Sequence, residues 1–193
     1  MHPPEHGDGS WPPLTVTRRS LLVDGSDRDF RELVDSMVLF ATRLQEVRAL
    51  LAAHMHVSPP QFRIVMALAR AETPEMTATT LAAALEVSTA FIVTEAQKLG
   101  EMGFVTRRKN PDDARSFLIA LSDQGRARVT ETAPLMCLVN DTLFAGIDRP
   151  TMQQLARQTQ DLLKASVATM ALLDAPAEPT PKPPRRPRKS AQT

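Results

Sequence analysis

Two helix-capping residues, Thr77 and Ser88, stand close together in the middle of the chain, in TATTLAAALEVSTAFIVTEAQKLGEMGF. Ser and Thr are favoured before a helix because their side-chain oxygen accepts a hydrogen bond from an unpaired N–H of the first turn. Only Glu86 and Val87 separate the first predicted helix from the second cap. Two short helices joined by so tight a turn are typical of a helix-turn-helix, although a small helical bundle would show the same pattern.

A β-hairpin is predicted directly after the second helix. Gly103 ends that helix, FVTRRK and SFLIAL have the composition of strands, and NPDDAR between them has the chemistry of a turn. Phe117, Ile119 and Leu121 share one face of the returning strand, so we expect them to pack on the helices while the loop projects into solvent. A hairpin after a helix-turn-helix is a wing, and this position favours a DNA-contacting loop over an ordinary solvated one.

Long amphipathic helices flank this unit. Residues 26–54 predict one long helix, and a second starts at Ser58. Ser122 caps another long helix interrupted by Pro134, which we expect to bend it or shift its hydrogen bonding. A last helix opens at Asp148. The first helix carries an apolar stripe at helical spacing: Phe30, Leu33, Val34, Met37, Ala41, Leu44 and Leu51.

The predicted fold class is mainly α with a small β-hairpin. Residues 26–174 form one winged helix-turn-helix domain, with a DNA-binding core at about 58–122 and dimerisation helices at about 26–54 and 122–173. The stripes of these long helices are larger than the core can cover, so a symmetric dimer that buries them against a second copy is the economical solution. Such a dimer presents two DNA-binding cores, one from each copy, to a pseudo-palindromic site in double-stranded DNA.

The two ends of the chain differ in composition from this body. Residues 1–25 and 175–193 are rich in proline and lack the apolar periodicity that offsets the entropy of ordering, so we expect both to be largely disordered. The last segment, with KPPRRPRK, carries five basic residues against one acidic residue. The net charge of +1 therefore leaves about −3 on the rest of the chain (1 − 4 = −3). Binding of nucleic acid by the body needs a local basic patch. The tail is interpreted as a solubilising end, as a non-specific DNA-contacting arm, or as both.

Several other classes of protein are disfavoured. No stretch approaches the roughly 18 consecutive apolar residues of a membrane span, and no signal peptide is recognisable, so we expect a cytoplasmic protein without a membrane partner. There is no phosphate-binding glycine loop, metal-ligand cluster or catalytic triad, so we expect neither an enzyme nor a cofactor.

The order of long helix, helix, helix-turn-helix, wing and two long helices resembles the MarR family of bacterial transcription regulators over about residues 27–173. The most specific part is GFVTRRKNPDDARSFLIALSDQG. It resembles the family's recognition-helix end, basic strand, Asp-x-Arg wing and the serine and glycine that open the next helix. The resemblance implies a homodimeric regulator, a repressor relieved by a small-molecule ligand, whose recognition helices enter adjacent major grooves while the wings touch flanking minor grooves.

The wing and its basic strand supply part of the predicted DNA contact. Arg115 matches the family's wing arginine, and a guanidinium on a thin loop suits the narrow, negative minor groove. Asp113 matches the acid that orients this arginine, and we expect it to hold the Arg115 side chain extended. The strand adds three basic residues placed to lie beside phosphates: Arg107, Arg108 and Lys109.

The recognition helix supplies the base contacts. Gln97 suits adenine, Lys98 suits guanine or phosphate, and Ile92, Ala96 and Leu99 are expected to face inward. The residues predicted to contact DNA are Ser88, Thr89, Ala90, Val93, Thr94, Gln97 and Lys98.

The recognition helix departs from the family pattern at Thr94, where a basic residue is usual, and at Glu95, where an apolar one is usual. If Glu95 reached the groove it would repel phosphates, so we expect either modest affinity or a contribution from another basic element. This departure motivates an alternative, a MarR-like protein-interaction module with weakened operator recognition.

By analogy with the family, a small aromatic effector would bind between the dimerisation helices and the winged domain. The residues near that place are His54, His56, Phe62, Arg63 and Met66. The two histidines do not share a helical face, so we expect exposed side chains and not metal ligands.

Cys137 is the single cysteine, which excludes an internal disulfide framework. It stands among apolar residues of a long helix and is predicted to be a buried packing thiol. Oxidant sensing through Cys137 is the remaining alternative function.

Overall fold

The structure is a computed structural model that describes residues 11–113 and 115–174. A 3-10 turn, Arg19–Leu21, precedes nine elements in this part of the chain. They are α1 (Arg28–His54), α2 (Pro59–Arg70), β1 (Glu75–Thr77), α3 (Ala78–Leu85), α4 (Thr89–Glu101), β2 (Val105–Lys109), β3 (Phe117–Leu121), α5 (Asp123–Leu143) and α6 (Arg149–Asp174). The predicted mainly helical fold with a small β-structure is confirmed.

The ends of the chain are described only in part. The tail KPPRRPRK lies outside the described residues, as do residues 1–10. Residues 11–25 belong to the extension that we expected to be largely disordered, and they include the 3-10 turn. Thr15 donates hydrogen bonds from its backbone N–H (2.6 Å) and its hydroxyl (2.7 Å) to Oδ2 of the buried Asp27. These bonds lower the pKa of Asp27 and tie the segment to the start of α1.

The capping residues predicted from sequence begin their helices. The Ser58 hydroxyl accepts from the Gln61 backbone N–H (3.4 Å), and the Ser58 backbone N–H donates to Gln61 Oε1 (3.0 Å), which completes a capping box. Thr77 and Ser88 cap α3 and α4. Glu86 lies between these helices with φ of 53°, a left-handed conformation that reverses the chain in the short connector.

The core surrounds α2. Apolar side chains of α2, α3, α4 and the sheet meet there, together with the last turn of α1. The most completely buried members are Met55, Ile64, Val65, Leu81, Ile92, Leu99 and Ile119. Burial of these side chains holds one face of α3 and of α4 against the core and leaves their other faces outside it.

The sheet has three strands, one more than predicted, in the order β1-β3-β2. β1 pairs antiparallel with β3, with Met76 opposite Ile119, whereas β2 pairs with the other edge of β3. β1 was not predicted, because EMT is too short to show a strand pattern.

The prediction for Phe117 was wrong. Ile119 and Leu121 are buried as expected, but Phe117 is 41% exposed. It pairs with Lys109 at the loop end of the hairpin, and the Arg107 guanidinium lies 4.9 Å from the centre of its ring. Phe117 therefore shares the strand face of the core residues without entering the core.

The described residues form two compact units, one ending at Asn140 and one beginning at Asp141. The second contains α6, whose side chains are exposed along its whole length. Among the described residues, no single helix has both the length and the apolar character needed to cross a membrane; α3 and α4 meet that criterion only together, and they are bent by 111°.

Candidate nucleic-acid interface

The recognition helix α4 has one buried face and one open face. Ile92, Ala96 and Leu99 are fully buried, as predicted. The residues proposed to contact DNA lie on the open face or at the N-cap and are exposed: Ser88, Thr89, Ala90, Val93, Thr94, Gln97 and Lys98. Val93 exposes an apolar surface that suits a thymine methyl group, and Gln97 offers an amide.

Two polar side chains on the open face already have partners. The Thr94 hydroxyl donates to the Ala90 carbonyl (3.0 Å), and Gln97 Nε2 donates to Glu101 Oε1 (3.2 Å). The second bond is between exposed groups, so Gln97 is free to exchange Glu101 for a base.

Glu95 does not reach the open face. It is buried, and its carboxylate accepts from Gln61 Nε2 (3.1 Å) and Lys98 Nζ (2.7 Å). Its position follows from helix geometry, because residue 95 lies beside the inward stripe between Ile92 and Leu99. An acid that reached the groove would repel phosphates, but Glu95 does not reach it. Its carboxylate instead holds Lys98 in an ion pair.

The three basic side chains of strand β2 differ in their contacts. Arg107 lies over the Phe117 ring, and Lys109 is exposed. Arg108 forms a two-pronged ion pair with Glu75 of β1, in which Nε donates to Oε1 at 2.7 Å and Nη2 donates to Oε2. This hydrogen bonding lowers the pKa of Glu75 and raises the pKa of Arg108. Glu75 was not among the predicted site residues, because the strand that places it beside Arg108 was not predicted.

The wing loop is organised by local hydrogen bonds. Asn110 accepts at Oδ1 from the Asp112 backbone N–H (3.1 Å) and donates from Nδ2 to the Ser116 hydroxyl (3.0 Å). Asp113 was expected to hold the Arg115 side chain, but its carboxylate accepts from the Arg115 backbone N–H instead (3.0 Å). The Arg115 side chain is exposed and has no ion pair among the described residues.

A groove of about 510 Å³ lies where α1, α2 and the helix-turn-helix approach one another. Its lining residues are Gln45, Arg48, Pro59, Pro60, Arg63, Ile64, Leu85, Val87 and Phe91. Arg63 Nη2 donates to the carbonyl of Leu85 at the end of α3 (2.8 Å). Burial lowers the pKa of the half-buried Arg48, and the positive charges of Arg70 and Arg63 lower it further.

Only one of the residues expected near an effector pocket lines this groove. Arg63 does, whereas Phe62 belongs to the core, Met66 packs against that core, and His54 and His56 are exposed. Within residues 11–113 and 115–174, no group of three or more His, Cys, Asp or Glu side chains is arranged to hold a metal ion.

The prediction that Cys137 is buried was wrong, because its side chain is exposed. Leu135, Met136 and Val139 pack against the core from α5, so Cys137 lies on the other side of the same helix. Apolar neighbours in sequence surround only one face of a helix, and Cys137 is not on it.

Residues 57–116 match the model of the MarR family. This segment holds the helix-turn-helix and the wing as far as Ser116. No curated protein matches significantly. The match confirms the resemblance inferred from the wing.

Solved structures confirm the fold. A MarR transcriptional regulator from Methanosarcina mazei Go1 is 17% identical, with a TM-score of 0.59 over 72% of this chain and 99% of that one. A mutant MarR from E. coli complexed with operator DNA is 18% identical, with a TM-score of 0.59 over 70% and 96%. The PcaV regulator from Streptomyces coelicolor, in complex with its natural ligand, is 21% identical, with a TM-score of 0.54 over 66% and 91%.

Proposed function

We propose that this chain, whose winged helix-turn-helix matches the MarR family, is a homodimeric repressor that binds double-stranded DNA and is released by a small-molecule ligand. The observation that carries this proposal is that α4 has one buried face and one exposed face. Its inner stripe is fully buried in a packed core, and its other face is exposed. A helix supported in this way is suited to enter a major groove without losing its position.

Sequence recognition is assigned to the exposed face of α4. Gln97 would read adenine through its amide, and Val93 and Ala90 would meet thymine methyl groups. These contacts are mostly uncharged. The attraction to phosphates therefore falls to Lys98 and the basic strand, of which Lys109 and Arg107 have no ion pair among the described residues.

Arg115 is assigned to the minor groove. Its side chain is exposed at the tip of a loop whose backbone is held by Asn110, Asp113 and Ser116. Because the loop backbone is held locally, binding has to order only the Arg115 side chain when the guanidinium enters the narrow, negative groove beside the operator.

Release of the protein from DNA by a ligand is assigned to the groove beside Arg48 and Arg63. Apolar side chains line most of it, and its two guanidiniums have no ion pair among the described residues. This chemistry favours an apolar molecule that carries a carboxylate. A carboxylate bound to Arg63 would compete with the carbonyl of Leu85, and so disturb the end of α3 within the helix-turn-helix.

The experiment is selection of genomic fragments by the purified protein, followed by fluorescence-anisotropy titration of the best fragment at two salt concentrations. Wild type should bind a palindromic site, and Arg115→Ala should weaken that binding by roughly 5- to 150-fold, as the loss of a specific arginine contact costs roughly 1–3 kcal/mol. Arg128→Ala, which removes an exposed arginine of α5, is the matched control and should bind as wild type.

The same complex tests release. Aromatic carboxylates added to it should lower the anisotropy if the groove holds the effector. Binding that ignores sequence and depends on residues 175–193 would contradict the proposal and favour an interaction module.

A further inference from the structure

Lys98 is the single basic residue of α4, and an acid of the same helix holds it. Nζ of Lys98 lies 2.7 Å from Oε1 of Glu95. The ammonium that is best placed to reach a phosphate from the recognition helix is therefore engaged within the protein.

The carboxylate in this pair is fixed, whereas the lysine is not. Oε2 of Glu95 accepts from Gln61 Nε2 (3.1 Å), and Gln61 is itself held at the start of α2 by Ser58. The Glu95 side chain is only 11% exposed, while that of Lys98 is 54% exposed. Lys98 thus approaches Glu95 from the solvent side and is able to leave, whereas Glu95 cannot follow it.

We propose that Glu95 sets the DNA affinity of the recognition helix by holding the Lys98 ammonium, so that DNA binding must exchange this carboxylate for a phosphate. This inference rests on the proposed function. The exchange is costly because it leaves a buried carboxylate with Gln61 as its remaining side-chain donor. Glu95 is therefore an affinity-setting residue that does not itself contact DNA.

The Glu95→Gln variant separates this role from a structural one. Glutamine has nearly the same shape, and its side-chain oxygen still accepts from Gln61, but its neutral amide does not hold an ammonium. The fold is retained, and Lys98 becomes free to neutralise a phosphate.

The test compares wild type, Glu95→Gln, Lys98→Ala and the double variant by anisotropy titration of one duplex over a range of salt concentrations. In Glu95→Gln, affinity should rise at every salt concentration, while the slope of log affinity against log salt should stay as in wild type, because Lys98 neutralises a phosphate in both complexes. Lys98→Ala should make the slope shallower by about 0.9 per protomer, and in that background the Glu95→Gln substitution should give no gain in affinity.

Glu101→Gln is the matched control, because it removes the same charge from the same helix without releasing a cation. An equal gain in Glu101→Gln, or a gain that persists without Lys98, would overturn the inference in favour of a general charge effect. Weaker binding by Glu95→Gln, with an unchanged circular dichroism spectrum, would also overturn it and make Glu95 a support of the helix.

A measurement without DNA tests the ion pair itself. The rate at which acetic anhydride acetylates Lys98, followed by mass spectrometry relative to Lys109, should rise in Glu95→Gln, and an unchanged rate would overturn the inference. If wild type binds DNA and Glu95→Gln binds it identically, this inference alone fails. If neither binds any duplex at low salt, the proposed function fails with it.

Discussion

Two of the cations expected at the DNA surface, Lys98 and Arg108, are bound by carboxylates of the same chain. Side-chain identity predicts a positive charge at each position, but the charge available to a phosphate depends on the partner. Glu75 and Glu95 are the partners here, and neither was expected to hold a cation of this surface.

The Glu75–Arg108 pair makes stability depend on pH. Because Arg108 lowers the pKa of Glu75, the folded state favours the carboxylate. The resulting stabilisation is complete above the ordinary pKa of glutamate and is lost as pH falls through the lowered pKa. We therefore expect wild type to exceed Glu75→Gln in free energy of unfolding at neutral pH, and the difference to shrink below about pH 4.

Urea unfolding at a series of pH values measures this difference. Glu72→Gln, an exposed glutamate before β1 without an ion pair among the described residues, is the control. A difference for Glu75→Gln that stays constant from neutral to acidic pH would contradict the prediction.

At the scale of elements, the first turn of α5 packs closely against the chain between α4 and β2. The Ser122 backbone N–H donates to the Phe104 carbonyl (3.0 Å), and the Ser122 hydroxyl both donates to Gly103 O and accepts from the Gly125 N–H. A Cβ on Gly125 would lie 2.1 Å from the same Phe104 carbonyl oxygen. Only glycine allows the helix to approach the base of the wing this closely.

We expect Gly125→Ala to lower the free energy of unfolding by about 1–3 kcal/mol, the usual cost of overpacking, because the opposing atom is backbone and cannot rotate away. Thermal or urea unfolding measures the loss. Gly146→Ala is the control, since a Cβ there meets nothing within 4 Å and should leave stability nearly unchanged. Equal effects of the two substitutions would contradict the close contact at Gly125.

At the scale of the whole molecule, apolar surface remains exposed on long helices in each compact unit. On α1 it includes Leu33 and Met37, and on α6 it includes Met152, Leu163 and Val167. Exposed apolar stripes of this length on separate helices are typical of surfaces that a partner covers, and a second copy is the partner that we propose.

Leu163→Glu should weaken the proposed homodimer, because it places a charge in the apolar stripe of α6. Sedimentation or light scattering should show a shift toward the monomer at concentrations where wild type is dimeric. Gln154→Glu, on the opposite side of the same helix, should leave the dimer intact. A wild-type protein that is monomeric at high concentration would contradict the dimer.

The sequence by itself determined the helices, their caps, the helix-turn-helix and the wing. These features depend on capping bonds and periodicities between residues a few positions apart, which are visible in any window of the chain. It also carried the resemblance to the MarR family, since the wing motif is contiguous. The proposed DNA contacts on α4 followed from the same periodicity.

Only the tertiary structure decided which of these residues are paired with other side chains of the same chain. Gln61 meets Glu95 across 34 positions, and Glu75 meets Arg108 across 33. The exposure of Phe117 and Cys137 likewise depends on which faces find a neighbour. Such pairings arise when distant elements pack, so no local pattern predicts them, and here they determine which cations of the proposed DNA surface already have a carboxylate partner.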